Sequence, residues 1–200
     1  MSKRLLACIC TLGLLLAPLS TIAAAVDPAT LPEAKRTRLA LYLSAHEAWE
    51  RMQQAPAKVL FLDVRTRAEA MYVGMPTAVD ALVPYMEHQE IMSDWDERRH
   101  MYLLLPNSDF VQEAVARLQA KGLTRSDPVI LICRSGDRSA RAADLLAGAG
   151  FTQVYSVVEG FEGDLAKSGP RVGQRVVNGW KNADLPWSYQ LDKAKMYFPR

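Results

Sequence analysis

Three short, almost continuous apolar runs constrain this chain more than any other feature: Val59-Leu60-Phe61-Leu62, Val129-Ile130-Leu131-Ile132 and residues 154–158. A strand with water on one face alternates polar and apolar residues. A run without alternation is a strand covered on both faces. Helical patterns separate the runs. Ser44 with Glu47 three positions on forms a capping box and predicts a helix from about Ala45 to Gln54, which Pro56 closes. Phe110, Val111, Ala114, Val115 and Leu118 recur at helical spacing behind a cap at Asn107 or Ser108, and Lys121-Gly122 ends that segment. Ala140, Ala143, Leu146 and Ala147 form a third apolar face, stopped by Gly148 and Gly150. Buried strands alternating with helices of these lengths predict an α/β fold with a mainly parallel central sheet flanked by helices.

The N-terminus reads differently. Met1-Ser2-Lys3-Arg4, an apolar run through Leu19 and then Ala23-Ala24-Ala25 have the order of a secretory signal, residues 1–25, cleaved near Ala25. The run is short for a spanning helix, and little apolar sequence precedes Cys8 for a lipid-attachment box. The expectation is a periplasmic or secreted protein with no stable membrane anchor after cleavage. Residues 26–38, with two prolines, read as a loosely held arm. Residues 39–189 make the domain and 190–200 a tail, with everything from 169 on turn-rich and wrapped on the surface. The stretch 84–106 holds Glu87, Glu90, Asp94, Asp96, Glu97, Arg98, Arg99 and His100. It reads as a solvated excursion, the sharper alternative being a flap that faces substrate or a partner. Residues 79–83 and 101–105 could add short strands.

Charge excludes one class of function. Two of the 24 basic residues, Lys3 and Arg4, lie in the leader, which leaves 22 against 22 acidic ones. No surplus favours nucleic acid. No glycine-rich nucleotide loop is present, and His46, His88 and His100 lack ligand spacing, so no metal is expected.

Cys8 and Cys10 fall in the leader, so Cys133 is the only thiol of the processed chain. Exported proteins use cysteines mostly in pairs, and an unpaired one points to reactivity. Its position agrees: Cys133 is the first residue past an apolar strand, and sites in open parallel sheets form at carboxyl ends of strands. The loop leads into a helix expected to start near Ser139. Free N–H groups and the dipole at a helix start stabilise an anion, thiolate or persulfide. Arg134 and Arg138 add positive charge, and Gly136 lets the loop curl so that N–H groups converge on the sulfur.

Cys133-Arg134-Ser135-Gly136-Asp137-Arg138-Ser139 resembles the active-site loop of the rhodanese-like, or thiosulfate sulfurtransferase, family. Phe61-Leu62-Asp63-Val64-Arg65 is similar to that family's early strand. Glu159-Gly160-Phe161 is similar to its Glu-Gly-Gly turn, with Phe161 in place of the second glycine, and residues 179–187 to its C-terminal segment. The resemblance implies a rhodanese-like three-layer fold and two-step covalent transfer, with Cys133 as the catalytic residue carrying sulfur as a persulfide. It implies a small anionic donor such as thiosulfate, a thiol or protein acceptor, and no cofactor. Arg134, Ser135, Gly136, Asp137, Arg138 and Ser139 would form the substrate-binding loop. Asp63 and Arg65 read as organisers of the fold, and Glu159 as a cap on a turn or a brace for the loop.

Two other classes compete. A cysteine phosphatase also sets a thiolate in an anion loop, but it needs arginine six positions after the cysteine, where this chain has Ser139. A binding module, or a persulfide carrier dedicated to one partner, would keep the fold yet turn over poorly with small acceptors.

Overall fold

The computed structural model describes residues 26–199, so the expected leader lies outside the described residues. In chain order the elements are β1 (Tyr42–Leu43), α1 (Ala45–Gln54), β2 (Leu60–Asp63), α2 (Arg67–Val73), β3 (Met75–Pro76), β4 (Ala81–Leu82), β5 (Met86–His88), β6 (Trp95–Asp96), β7 (Met101–Tyr102), β8 (Leu104–Pro106), α3 (Phe110–Ala120), β9 (Val129–Ile132), α4 (Asp137–Gly148), β10 (Val154–Val157) and β11 (Trp187–Ser188).

Strands β1, β10, β9, β2 and β4 form, in that order, a five-stranded sheet in which every pair is parallel. Leu60 sits opposite Val129 and Asp63 opposite Ile132, so two of the apolar runs are neighbours at its centre. Both are buried along their whole length. Successive side chains point to opposite faces. Phe61, Ile130 and Ile132 pack with α1, Ala70 of α2 and Trp180. Leu60, Leu62, Leu131 and Cys133 pack with α3 and α4 on the other side. The result is the expected helix–sheet–helix layering.

Helix α1 and strand β9 have the bounds read from the sequence. The Ser44 box closes in both directions: Ser44 Oγ accepts from Glu47 N at 3.2 Å, and Glu47 Oε2 accepts from Ser44 N at 2.7 Å. Glu159 Oε2 also accepts from Ala45 N at 2.9 Å, so Glu159 caps α1. Other boundaries move. Helix α4 starts at Asp137, ahead of the expected Ser139, because Gly136 with φ 101° already turns the chain as its N-cap. Asp109 is the residue before α3, and Asn107 Oδ1 supports it by accepting from Asp109 N at 3.1 Å. Strand β4 uses only Ala81 and Leu82 of the 79–83 stretch.

The charged stretch is the main departure. It is a long β-hairpin of two successive antiparallel ladders, β5 with β8 and β6 with β7. Glu87 Oε2 ties it to α2 by accepting from Arg67 N at 3.1 Å and Arg67 Nε at 2.9 Å. Trp95 and Tyr102 meet edge to face at 5.4 Å, and Leu103 N donates to Asp94 O at 2.8 Å, which splits the expected 101–105 strand in two. At the base, Asn107 Nδ2 donates to Pro84 O at 2.8 Å.

The ends are also held. In the arm, Lys35 is buried with its Nζ 2.8 Å from Asp164 Oδ1, and Arg38 N donates to Asp144 Oδ1 at 2.7 Å. In the C-terminal stretch, Trp180 is fully buried and β11 pairs with β3, so this segment supplies core as well as surface. Lys195 Nζ donates to Thr77 O at 3.0 Å and Val79 O at 2.8 Å, fastening the tail. Among the described residues, no helix is long and apolar enough to cross a membrane.

Candidate active site

Parallel strands bring several carboxyl ends to one edge of the sheet. Cys133 follows β9 there, on the face covered by α4. Its Sγ accepts from Gly136 N at 3.1 Å and lies 3.5 Å from Ser139 Oγ. Ser139 Oγ in turn donates to Gly136 O at 2.9 Å and lies 2.9 Å from Ser156 Oγ of β10. Both serines are fully buried. The sulfur thus rests on a floor of hydroxyls and a backbone N–H at the start of a twelve-residue helix.

The loop keeps its shape through glycine and its own carbonyls. Gly136 has φ 101°, and a Cβ there would run into Val158 O. Cys133 O accepts from Phe161 N at 2.7 Å, and Arg134 O accepts from Glu162 N at 3.0 Å and Gly163 N at 3.2 Å. With these carbonyls turned outward, the Gly136 N–H is left facing the sulfur. Gly160, at φ 67°, allows this contact, since a Cβ would collide with Ser135 N and the Arg134 carbonyl. Phe161 takes the place of a glycine without needing positive φ. Its ring is fully buried and lies 4.1 Å beneath the Arg65 guanidinium. Arg65 is itself buried and paired with Asp63 at 2.6 Å, and it donates to Gly74 O at 2.8 Å. The Asp63–Arg65 pair therefore organises the core beside the loop.

A cavity of about 260 Å³ opens over the loop. Cys133, Arg134, Ser135, Asp137 and Arg138 line it, together with Glu69 and Arg141. Gly136 and Ser139 lie behind the sulfur instead of on the cavity wall; Ser139 is fully buried, so both support the sulfur from below. Arg138 pairs with neither Asp137 nor Asp144. Its Nη1 and Nη2 donate to the Glu69 carboxylate at 2.7 and 2.5 Å. Burial would raise the Glu69 carboxyl, but the hydrogen bonds and charge of Arg138, with the Thr66 N–H, outweigh it and hold the group at about 2. For Arg138, burial works against the charge, and Glu69 reverses this and raises it further. Arg134 makes no ion pair among the described residues. Burial and the charge of Arg134 together lower Arg175, which places the two cations near each other.

The family model of the rhodanese-like domain matches residues 44–167, a span that contains four of the five strands of the sheet, the loop and every residue lining the cavity. The chain belongs to the rhodanese-like domain family. At family level its function is of sulfurtransferase type. Crystalline Rv0390 from M. tuberculosis is similar over 74% of this chain and 96% of its own, with 30% identity and a TM-score of 0.53. The uncharacterized protein RC0915 of Rickettsia conorii is 27% identical over 64% of this chain and 81% of its own. The uncharacterized protein RP600 of Rickettsia prowazekii matches at the same identity and coverage.

Within this rhodanese-like site, sequence reasoning did not find Glu69, Ser156, or Gly160 as a contact point, and it offered the 84–106 stretch as a site-facing flap only as the alternative to a solvated excursion. Glu69 had a local signal: Thr66 and Glu69 form a second capping box, with Glu69 N donating to Thr66 Oγ1 at 3.1 Å and Thr66 N donating to Glu69 Oε2 at 3.0 Å. Its pairing with Arg138 had none, since the two lie 69 positions apart.

Proposed function

We propose that Cys133 takes sulfane sulfur from a small anionic donor, thiosulfate or a relative, and passes it as a persulfide to a thiophilic acceptor. The observation that carries this reading is the sulfur at the floor of a cationic cavity, at a strand end and a helix start, with the Gly136 N–H on it at 3.1 Å. In the first step the Cys133 thiolate attacks the outer sulfur of the donor. A new S–S bond forms, the donor's S–S bond breaks, and sulfite leaves with the electron pair. In the second step the acceptor attacks the outer sulfur of the persulfide, and the Cys133 thiolate departs. The Gly136 N–H and the α4 dipole stabilise negative charge on sulfur in both steps. Arg134 draws the anionic donor to the cavity.

The reading includes export: the leader at 1–25 takes the chain to the periplasm or outside the cell, where a lone thiol is held for chemistry. The test is incubation with thiosulfate followed by peptide mass mapping and sulfite detection. The expected result is one added sulfur on Cys133 with sulfite released, and neither in Cys133→Ser. Wild-type protein that gains no sulfur and releases no sulfite removes the activity. Loading without turnover to cyanide would mark a carrier instead of a catalyst.

A further inference from the structure

Helix α2 has two working faces. Glu69 looks into the Cys133 cavity and holds Arg138. Ala68, Met71 and Tyr72, at i, i+3 and i+4, share another face. That face meets no core: Met71 is 61% exposed and Tyr72 75%. Across from it stands the hairpin, where Met92 is 50% exposed. These side chains and Tyr102 line an open groove of about 520 Å³ between α2 and the hairpin. Single exposed apolar residues are ordinary, but several gathered along one groove mark an interaction surface. Methionine adds the ability to mould to a partner. The polar residues of the wall are mostly committed. Glu87 accepts from Arg67 Nε at 2.9 Å, and Gln89 Nε2 donates to the Asp94 carboxylate at 3.0 Å. Glu90 also lines the groove and makes no ion pair among the described residues. The groove therefore offers apolar area with a slight negative charge.

Its position points to the occupant. His88 and Tyr102 line both this groove and the cavity over Cys133, so whatever lies in the groove reaches the edge of that cavity. An anionic donor has no reason to lie there, since Glu90 would repel it. A small molecule would stay largely in water, whereas binding pockets bury most of a ligand's surface. An extended chain segment suits an open groove, because side chains along its length share the contact. Resting on the sulfur-transfer reading above, we propose that the acceptor is a protein cysteine on an extended segment with apolar side chains, docked in the groove between α2 and the hairpin. The two substrates then reach one sulfur by separate routes, the anionic donor over the cationic loop and the acceptor along the groove. In the transfer the acceptor's cysteine thiolate bonds to the outer sulfur of the Cys133 persulfide. The S–S bond to Cys133 breaks, and its electron pair stays on the Cys133 thiolate. A thiolate and a persulfide become a persulfide and a thiolate, so charge and electrons balance with no further reactant.

The experiment loads Cys133 with thiosulfate, removes the excess, and measures single-turnover sulfur transfer to two blocked peptides. Each has a central cysteine with a serine on either side. One carries leucines beyond the serines, and the other carries serine throughout. The readout is the ratio of the two second-order rate constants in the wild type, Met71→Ser, Tyr72→Ser and Met92→Ser. The cysteine has the same neighbours in both peptides, so the ratio reports docking apart from thiol chemistry. Burying about one leucine side chain gives an expected wild-type preference of about tenfold for the leucine peptide. Each variant reduces it to about threefold or less, since a serine replaces part of the apolar wall. Met71, Tyr72 and Met92 lie outside the cavity over Cys133, so loading by thiosulfate should stay within about twofold of wild type in each variant. A wild-type preference near one, or a preference unchanged in all three variants, overturns the proposal, and the sulfur-transfer reading stands without it if Cys133 still loads. A dimer in sedimentation, or binding to phosphatidylglycerol vesicles, that Tyr72→Ser abolishes would give the groove to a second copy or a lipid surface and overturn the proposal as well. If thiosulfate does not load Cys133 in the wild type, both readings fall together.

Discussion

Glu69 grips Arg138 with two hydrogen bonds of 2.7 and 2.5 Å, so the loop's second arginine is neutralised by a helix on the other side of the cavity. The same carboxylate accepts from Thr66 N and caps α2. One side chain thus sets the start of a helix and anchors α4 next to the sulfur. Both partners are about five-sixths buried, at 15% and 16% side-chain exposure, so removing one leaves a largely desolvated charge. Glu69→Gln is expected to cost about 3 kcal/mol, read as a lower urea midpoint with an unchanged slope.

The pair also sets an acid limit. The folded carboxyl of Glu69 lies at about 2, below its ordinary 4.5. A depressed carboxylate contributes stability in full above the unfolded value and loses it as pH falls toward the folded one. Wild-type stability should therefore decline between 4.5 and about 2. Glu69→Gln has no carboxyl to titrate, so the gap between the two proteins should narrow over that window. Urea midpoints at several acid pH values measure it, and a gap that stays constant would contradict the assignment.

What the sequence shows and hides follows from the range of each interaction. Helix α1 is legible because its capping box, apolar face and closing proline all fall within a dozen neighbours. Strand β9 is legible because four apolar residues admit no alternating reading. Cys133 is legible because a strand end, a glycine and a helix are adjacent in the chain. The hairpin is hidden because its ladders are two or three residues long and its charges suggest solvent; contacts between residues distant in sequence, such as Glu87–Arg67, Trp95–Tyr102 and the closure at Asn107, order it. The serine floor is hidden because Ser139 and Ser156 come from a helix and a strand and meet only after the sheet forms.

That floor makes a third prediction. Ser139 Oγ touches the sulfur at 3.5 Å and joins Gly136 O and Ser156 Oγ, all without access to water. Ser139→Ala removes the hydroxyl that braces the Gly136 peptide under the sulfur, so the Gly136 N–H loses its fixed position, and leaves Ser156 short of a partner. The rate of persulfide formation should fall by about tenfold or more, with a stability loss of about 1–3 kcal/mol. Ser156→Ala should change stability similarly but rate less, since Ser156 reaches the sulfur only through Ser139. Single-turnover loading by thiosulfate alongside urea melts separates the two effects.

Gly160 tests the shape of the loop. At φ 67° its backbone lies against the Arg134–Ser135 peptide, where no Cβ fits. Gly160→Ala combines a strained φ with a backbone collision, so a loss of at least about 1–3 kcal/mol is expected. The collision pushes on the loop itself, so kcat/KM should fall further than the folded fraction does. Activity per folded molecule, with folding followed by circular dichroism, is the measurement; a value equal to wild type would show that the loop absorbs the shift.

Arg134 is the cation closest in sequence to Cys133, and like Arg141 it lines the cavity without an ion pair among the described residues. It is half-buried, and together with burial its charge lowers the pKa of the neighbouring Arg175. Arg138 differs in being committed to Glu69. A charge that attracts the donor without touching the bond being broken binds ground state and transition state alike. Its loss then appears in KM and leaves kcat nearly unchanged. Arg134→Ala should raise KM for thiosulfate about tenfold, and Arg134→Lys should recover much of the loss. The dependence on salt decides between attraction and packing: added salt screens a cation that solvent reaches, so the wild-type KM should climb with ionic strength and the Arg134→Ala KM should climb less. Parallel salt curves for the two proteins would mean that Arg134 holds the loop by packing and that another group draws in the donor.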